Sequence, residues 1–180
     1  GAQFANRSVP TVEVDRTSSL VVYAGSSSGI FGNSCTAAPT LPDRGVYKST
    51  DGGATWTKKT PSNLRVSRIL QDPQTATTWW AAMVTSGGSL FPADEGGLRK
   101  SIDNGETWNQ VAGTGGLPAL ATSWGRAWIT GTTDPDFPGQ SVLYLSSAQD
   151  AGGGQGQGRV FKSVDSGTTW TEKTAARGFV

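Results

Sequence analysis

An octapeptide of the form Ser-x-Asp-x-Gly-x-Thr-Trp occurs three times in this chain of 180 residues. The copies are Ser49-Thr50-Asp51-Gly52-Gly53-Ala54-Thr55-Trp56, Ser101-Ile102-Asp103-Asn104-Gly105-Glu106-Thr107-Trp108 and Ser163-Val164-Asp165-Ser166-Gly167-Thr168-Thr169-Trp170. Asp followed two positions later by Gly is a turn signal: the carboxylate accepts backbone N–H bonds ahead of it, and Gly takes positive φ without cost. Thr-Trp then opens a strand, and a short apolar stretch (Val46-Tyr47-Lys48, Leu98-Arg99-Lys100, Val160-Phe161-Lys162) precedes each copy. Each copy therefore reads as strand, tight turn, strand.

A second block recurs ahead of each hairpin. In the first repeat Val12-Glu13-Val14-Asp15 leads to Leu20-Val21-Val22-Tyr23. In the second Arg68-Ile69-Leu70-Gln71-Asp72 leads to Trp79-Trp80-Ala81. In the third Trp128-Ile129-Thr130 runs to Asp134 and then Val142-Leu143-Tyr144-Leu145. Asp15, Asp72 and Asp134 fall at matching turns, and Tyr23, Trp80 and Tyr144 at matching strand positions. Each repeat thus holds four short antiparallel strands, the make-up of a propeller blade. The blades are placed at 9–60, 65–114 and 122–174 in one segment spanning 1–180. No helical period of useful length appears.

The octapeptide with its preceding strand resembles the Asp-box, or BNR, repeat of sialidases, xyloglucan-type glycoside hydrolases, sortilin-type receptors and photosystem assembly factors. The first-half blocks look like those of Asp-box blades in secreted glycoside hydrolases. The resemblance implies that the box is a staple between the third and fourth strands of a blade, away from any active site. Ser49, Asp51, Gly53, Trp56, Ser101, Asp103, Gly105, Trp108, Ser163, Asp165, Gly167 and Trp170 are accordingly expected to be structural. It also implies a glycan-related function and an extracellular or cell-surface location. It transfers no catalytic residue: there is no Arg-Ile-Pro segment of the sialidase kind, and xyloglucan-type enzymes draw their carboxylates from two propellers.

Three blades do not close a ring of four to eight. The outer faces of blades 1 and 3 are therefore expected to meet further blades, from the same or another chain, and two copies would supply six about a two-fold axis.

Composition excludes several classes. Fifteen basic residues balance fourteen acidic ones, with no block of like charge, so no nucleic-acid partner is expected. No apolar run is long enough to span a bilayer, and the first residues do not read as a signal peptide. The absence of His removes Ser-His-Asp and Cys-His catalysis, and with a single Cys35 no metal site or cofactor is expected. Cys35 reads as a free thiol or as a bridge to another chain, and Asn6-Arg7-Ser8 satisfies the glycosylation sequon.

In an up-and-down blade the boxes mark one face of the disc, and the connections between second and third strands lie on the other. Those connections are long in every repeat: Ser26 to Arg44, Thr85 to Gly96 and Ser146 to Gly158, the last holding a Gly/Gln run. Insertions repeated at one structural position point to a binding face. Phe31, Phe91 and Trp124 are the candidates for ligand binding there, Trp124 as a sugar platform. Asp43, Asp94, Glu95 and Asp150 are the carboxylate candidates, since glycoside hydrolysis needs a pair flanking the bond. The function expected is recognition of a glycan or other extracellular ligand, within a larger glycoside-hydrolase-like protein. The alternative is a non-catalytic scaffold built from blades. Catalysis by this chain alone is not expected.

Overall fold

The computed structural model describes residues 2–27, 41–61, 63–84, 96–119, 124–149 and 157–174. The described residues are all-β apart from a single 3-10 turn at Ala2–Phe4. Blade 1 holds β1 (Thr11–Asp15), β2 (Ser18–Gly25), β3 (Val46–Ser49) and β4 (Thr57–Lys58). Blade 2 holds β5 (Val66–Gln71), β6 (Trp79–Met83), β7 (Leu98–Ser101) and β8 (Asn109–Gln110). Blade 3 holds β9 (Ala127–Thr133), β10 (Ser141–Gln149), β11 (Gln157–Ser163) and β12 (Thr171–Glu172). Each is a four-stranded antiparallel sheet in sequence order.

The three sheets stand side by side through their first strands, β1 against β5 and β5 against β9. The fourth strands lie at the opposite edge of each sheet. This is the radial order of propeller blades, inner strand to outer. The fourth strands are only two residues long, because the octapeptide turn takes up most of the hairpin. In blade 3 the sequence places a connection at Ser146 to Gly158. Instead, β10 and β11 continue the ladder to Gln149↔Gln157, so this connection is shorter than expected. Residues 150–156 lie outside the described residues.

The two gaps between blades are the two cores. Side chains alternate between the faces of a strand, and the adjacent Trp79 and Trp80 show it most plainly. Trp79 joins Tyr23, Val46 and Ile69 between blades 1 and 2. Trp80 joins Ile129, Leu143 and Phe161 between blades 2 and 3. Both indoles are fully buried. Trp79 Nε1 donates to Asn104 Oδ1 at 3.1 Å, and Trp80 Nε1 donates to Asp72 Oδ2 at 3.0 Å, so neither buried N–H goes unmet.

The octapeptide turns share one hydrogen-bond scheme. In the first, the Ser49 hydroxyl donates to Asp51 Oδ1 (2.7 Å) and accepts from Gly53 N–H (2.8 Å). Asp51 also accepts from Thr55 N–H (2.8 Å) and the Thr55 hydroxyl (2.5 Å), and Trp56 Nε1 donates to the Gly53 carbonyl (2.9 Å). Asp103 accepts from Ser101 and Thr107, and Asp165 from Ser163 and Thr169, in the same way. The fourth and fifth box residues turn left-handed: Gly52 and Gly53, Asn104 and Gly105, Ser166 and Gly167 all have positive φ.

These bonds hold the carboxylates ionised. Donation from Thr55, hydroxyl and then amide, lowers Asp51 to about 2. At Asp103 burial pushes upward, but the Thr107 hydroxyl and amide outweigh it and bring the group to about 2. Asp165 is lowered against the same opposing burial. A carboxylate whose folded pKa lies below its unfolded value near ~4 adds stability above that pH and loses it as pH falls through the folded value. The melting temperature is therefore expected to fall progressively on acidification between roughly pH 4 and pH 2, measured by circular dichroism. Changing Asp103 to Asn should flatten that fall.

The same turns seat each blade on the one before it. Tyr23 on β2 and Lys48 on β3 face the second turn. The Tyr23 hydroxyl and Lys48 Nζ both donate to the Asn104 carbonyl, the latter at 2.7 Å, and Lys48 Nζ lies 5.6 Å from the Tyr23 ring. A Cβ on Gly105 would sit 2.3 Å from Tyr23 Cε1. Between blades 2 and 3 the pattern repeats. Lys100 Nζ donates to the Ser166 carbonyl at 3.1 Å and lies 4.6 Å from the Trp80 ring, and a Cβ on Gly167 would meet Trp80 Cη2 at 2.2 Å. At the first seam Glu106 adds ion pairs to Lys48 and Lys59, each at 2.7 Å.

Candidate functional site

The face opposite the octapeptide turns carries the ends of the long connections, and there the three first strands begin or end. A recess of about 130 Å³ opens at this inner rim. Ser8 and Pro10 enter it ahead of β1, Ser27 after β2, Val66 and Ser67 at the start of β5, Val84 after β6, and Arg126 and Trp128 at β9. Backbone bonds stitch its floor: Ser27 N–H to the Ser8 carbonyl (2.9 Å), Val66 N–H to Ser26 (3.1 Å), Val84 N–H to Arg65 (2.8 Å) and Ala148 N–H to Arg126 (3.2 Å). The buried Ser67 hydroxyl is engaged by the Ala82 and Ala127 carbonyls. The main chain at the rim is thereby committed, and the exposed Arg126 and Trp128 side chains stand over it.

Trp128 is exposed because β9 alternates. Ala127 and Ile129 are buried in the core between blades 2 and 3, while Trp128 and Thr130 point away from it. The Trp128 side chain is 45% exposed. The Arg68 guanidinium carbon lies 5.6 Å from its ring centroid, and Arg68 Nη1 is 3.5 Å from Glu13 Oε2. One side chain from each first strand thus forms a line, Glu13, Arg68 and Trp128. The cation over the ring holds the indole in place.

Trp124 lies elsewhere. It is 1% exposed, belongs to the core between blades 2 and 3, and donates from Nε1 to the Ala119 carbonyl at 3.3 Å. A ring so enclosed offers no face to a sugar. The exposed indole of this stretch is Trp128, four residues on. The alternation of Trp128 with Ile129 carried that signal in the sequence. Asp43 is exposed, and its Oδ2 accepts from Lys58 Nζ at 2.7 Å. Its carbonyl accepts from the Tyr47 hydroxyl at 2.6 Å. Asp43 therefore serves as a charge partner and as a backbone anchor. Phe31, Phe91, Asp94, Glu95 and Asp150 lie outside the described residues, as does Cys35. Among the described residues no group of three His, Cys, Asp or Glu is placed to hold a metal ion.

No protein-family model matches the chain, and no curated protein does. Solved structures do. A GH74 enzyme of Niastella koreensis superposes with a TM-score of 0.57 at 22% identity, covering 93% of this chain and 22% of its own. An ancestral GH74 enzyme aligns at 16% identity with a TM-score of 0.46, covering 91% of this chain and 25% of its own. The first likeness defines the class: the chain has the fold of a propeller segment. It spans about a fifth of the length of that neighbour.

Proposed function

We propose that this chain is an Asp-box propeller segment that recognises glycan chains on the face of the long connections, at the inner rim around Trp128 and Arg126. The observation that carries this reading is the exposed Trp128 indole, braced by Arg68 beside a recess lined by three blades. A sugar ring presents an apolar C–H face and a rim of hydroxyls. A flat indole takes the first, and a neighbouring guanidinium donates to the second. The likeness in fold to the Niastella koreensis GH74 enzyme supports a glycan as the ligand class and a place within a larger glycoside-hydrolase-like protein, and the octapeptide's resemblance to the Asp-box is what points to a location outside the cell.

Binding rather than hydrolysis is the reading for this chain alone. Hydrolysis needs two carboxylates at a set separation. Glu13 faces Arg68, and Asp43 faces Lys58. The test is calorimetric titration with a panel of neutral β-glucan oligosaccharides. Trp128→Ala is expected to weaken binding by about ten- to a hundredfold, the effect of removing one aromatic anchor worth roughly 1.4–2.8 kcal/mol, while leaving the melting temperature near that of the parent. Absence of binding by the parent chain, or equal binding by Trp128→Ala, contradicts the proposal.

A further inference from the structure

The inner-rim recess holds a single charge. Of the eight described residues that line it, seven are uncharged and the eighth is Arg126. The main chain fixes where this arginine stands. Arg126 forms an antiparallel bridge with Val84 of blade 2, and its carbonyl accepts from the Ala148 N–H of blade 3 at 3.2 Å. It is thus clamped where blades 2 and 3 meet, one residue ahead of β9. The next residue, Ala127, is fully buried in the core between those blades, so alternation turns the Arg126 side chain out of that core. The side chain is exposed and shares the recess with Ser8 and Pro10 of blade 1 and Val66 of blade 2. The recess is therefore walled by all three blades and does not lie on the outer face of blade 1 or of blade 3.

The acids of β1 and of the first long connection are committed to other cations. Glu13 Oε2 faces Arg68 Nη1 at 3.5 Å, and Asp43 Oδ2 accepts from Lys58 Nζ at 2.7 Å. Among the described residues no carboxylate pairs with Arg126. Its neighbours Pro10, Val66 and Val84 are apolar, and a less polar wall strengthens an ionic contact made against it. A guanidinium presents paired N–H donors that match two oxygens of a carboxylate or of a sulfate ester. A sugar hydroxyl meets one such donor and brings no charge.

Resting on the glycan recognition proposed above, we propose that the recess selects acidic glycans, whose sugar rings bear a carboxylate or a sulfate, with Arg126 as the specificity-determining residue. The anionic group enters the recess and takes the paired donors of Arg126. The ring that carries it lies against the Trp128 indole, which lines the same recess. The ligand thereby supplies the counter-charge that the described lining lacks.

The test is calorimetric titration of the full chain with three oligosaccharides of one length. The first is a neutral β-glucan, the second the same chain oxidised to carboxylates at its primary hydroxyls, and the third the same chain sulfated at those positions. The parent is expected to bind an acidic chain about tenfold more tightly than the neutral one, roughly 1.4 kcal/mol. That preference should shrink as salt is raised. Arg126→Gln removes the charge from an exposed side chain and should melt as the parent does. It is expected to bring the acidic and neutral affinities within about twofold of each other, which a role for Arg126 in folding alone would not do. A preference for the carboxylate or the sulfate chain alone supports the proposal and identifies the anion. Equal affinities for neutral and acidic chains in the parent, the result if a carboxylate of the long connections already holds the guanidinium, overturn it. So does a preference that survives in Arg126→Gln. In either case binding of the neutral chain leaves glycan recognition standing, whereas no binding of any chain overturns both.

Discussion

Trp80→Ala is expected to destabilise the chain by about 3–5 kcal/mol, the cost of emptying a large aromatic site in a packed core. Three roles of this residue fail together. Its ring fills the core between blades 2 and 3, where it meets Trp170 edge to face at 6.2 Å between centroids. Its Nε1 is a donor to Asp72, whose other oxygen accepts from the Ser141 hydroxyl of blade 3. Its face carries Lys100, which reaches the third turn. Truncation therefore opens a cavity, strips one hydrogen bond from a buried carboxylate and removes the support of a partly buried ammonium. Equilibrium urea denaturation measures it. The loss should exceed that of Trp128→Ala by several-fold, since Trp128 is half exposed and on no interblade core.

Gly167→Ala is expected to cost about 2–5 kcal/mol, from two sources that a control separates. The first is backbone: φ is +76°, and a side chain there costs roughly 1–2 kcal/mol. The second is packing: the new Cβ would lie 2.2 Å from Trp80 Cη2, and overpacking costs about 1–3 kcal/mol. Gly139 has the same φ of +76° with nothing within 4 Å of its would-be Cβ. Gly139→Ala should therefore show the backbone cost alone, about 1–2 kcal/mol. The difference between the two variants, read from urea midpoints at constant slope, reports the closeness of turn and ring. Equal losses would mean that the turn is not seated on Trp80.

Much of this architecture was legible in the sequence because it rests on local rules. Asp, Gly and Thr at fixed spacing specify the turn by side-chain-to-backbone bonds within five residues. The period of two sends Trp79 and Trp80 to different cores whatever the rest of the chain does. What escaped was decided between blades. Trp124 read as a loop aromatic, yet Gly125 turns left-handed at φ +55°, close against the Ala148 carbonyl, and Trp124 itself packs into the core between blades 2 and 3. The continuation of β10 and β11 to Gln149 and Gln157 pairs residues that look like linker, because the ladder needs only backbone groups. The lysine before each octapeptide serine was visible at 48, 100 and 162. Its partner is a carbonyl of the next blade, and a carbonyl has no signature in sequence. Phe31, Phe91, Asp94, Glu95 and Asp150 fall in the long connections, outside the described residues.

The octapeptide turns join the blades, and the proposed recognition lies on the opposite face. Hydrogen exchange with and without a saturating neutral oligosaccharide separates the two faces within one sample. The account predicts slowed exchange at the inner rim, in the segments containing Ser8, Val66, Val84 and Arg126 to Trp128, with the turns at Gly52, Asn104 and Ser166 unchanged. Protection centred on those turns, with the rim unchanged, would contradict it.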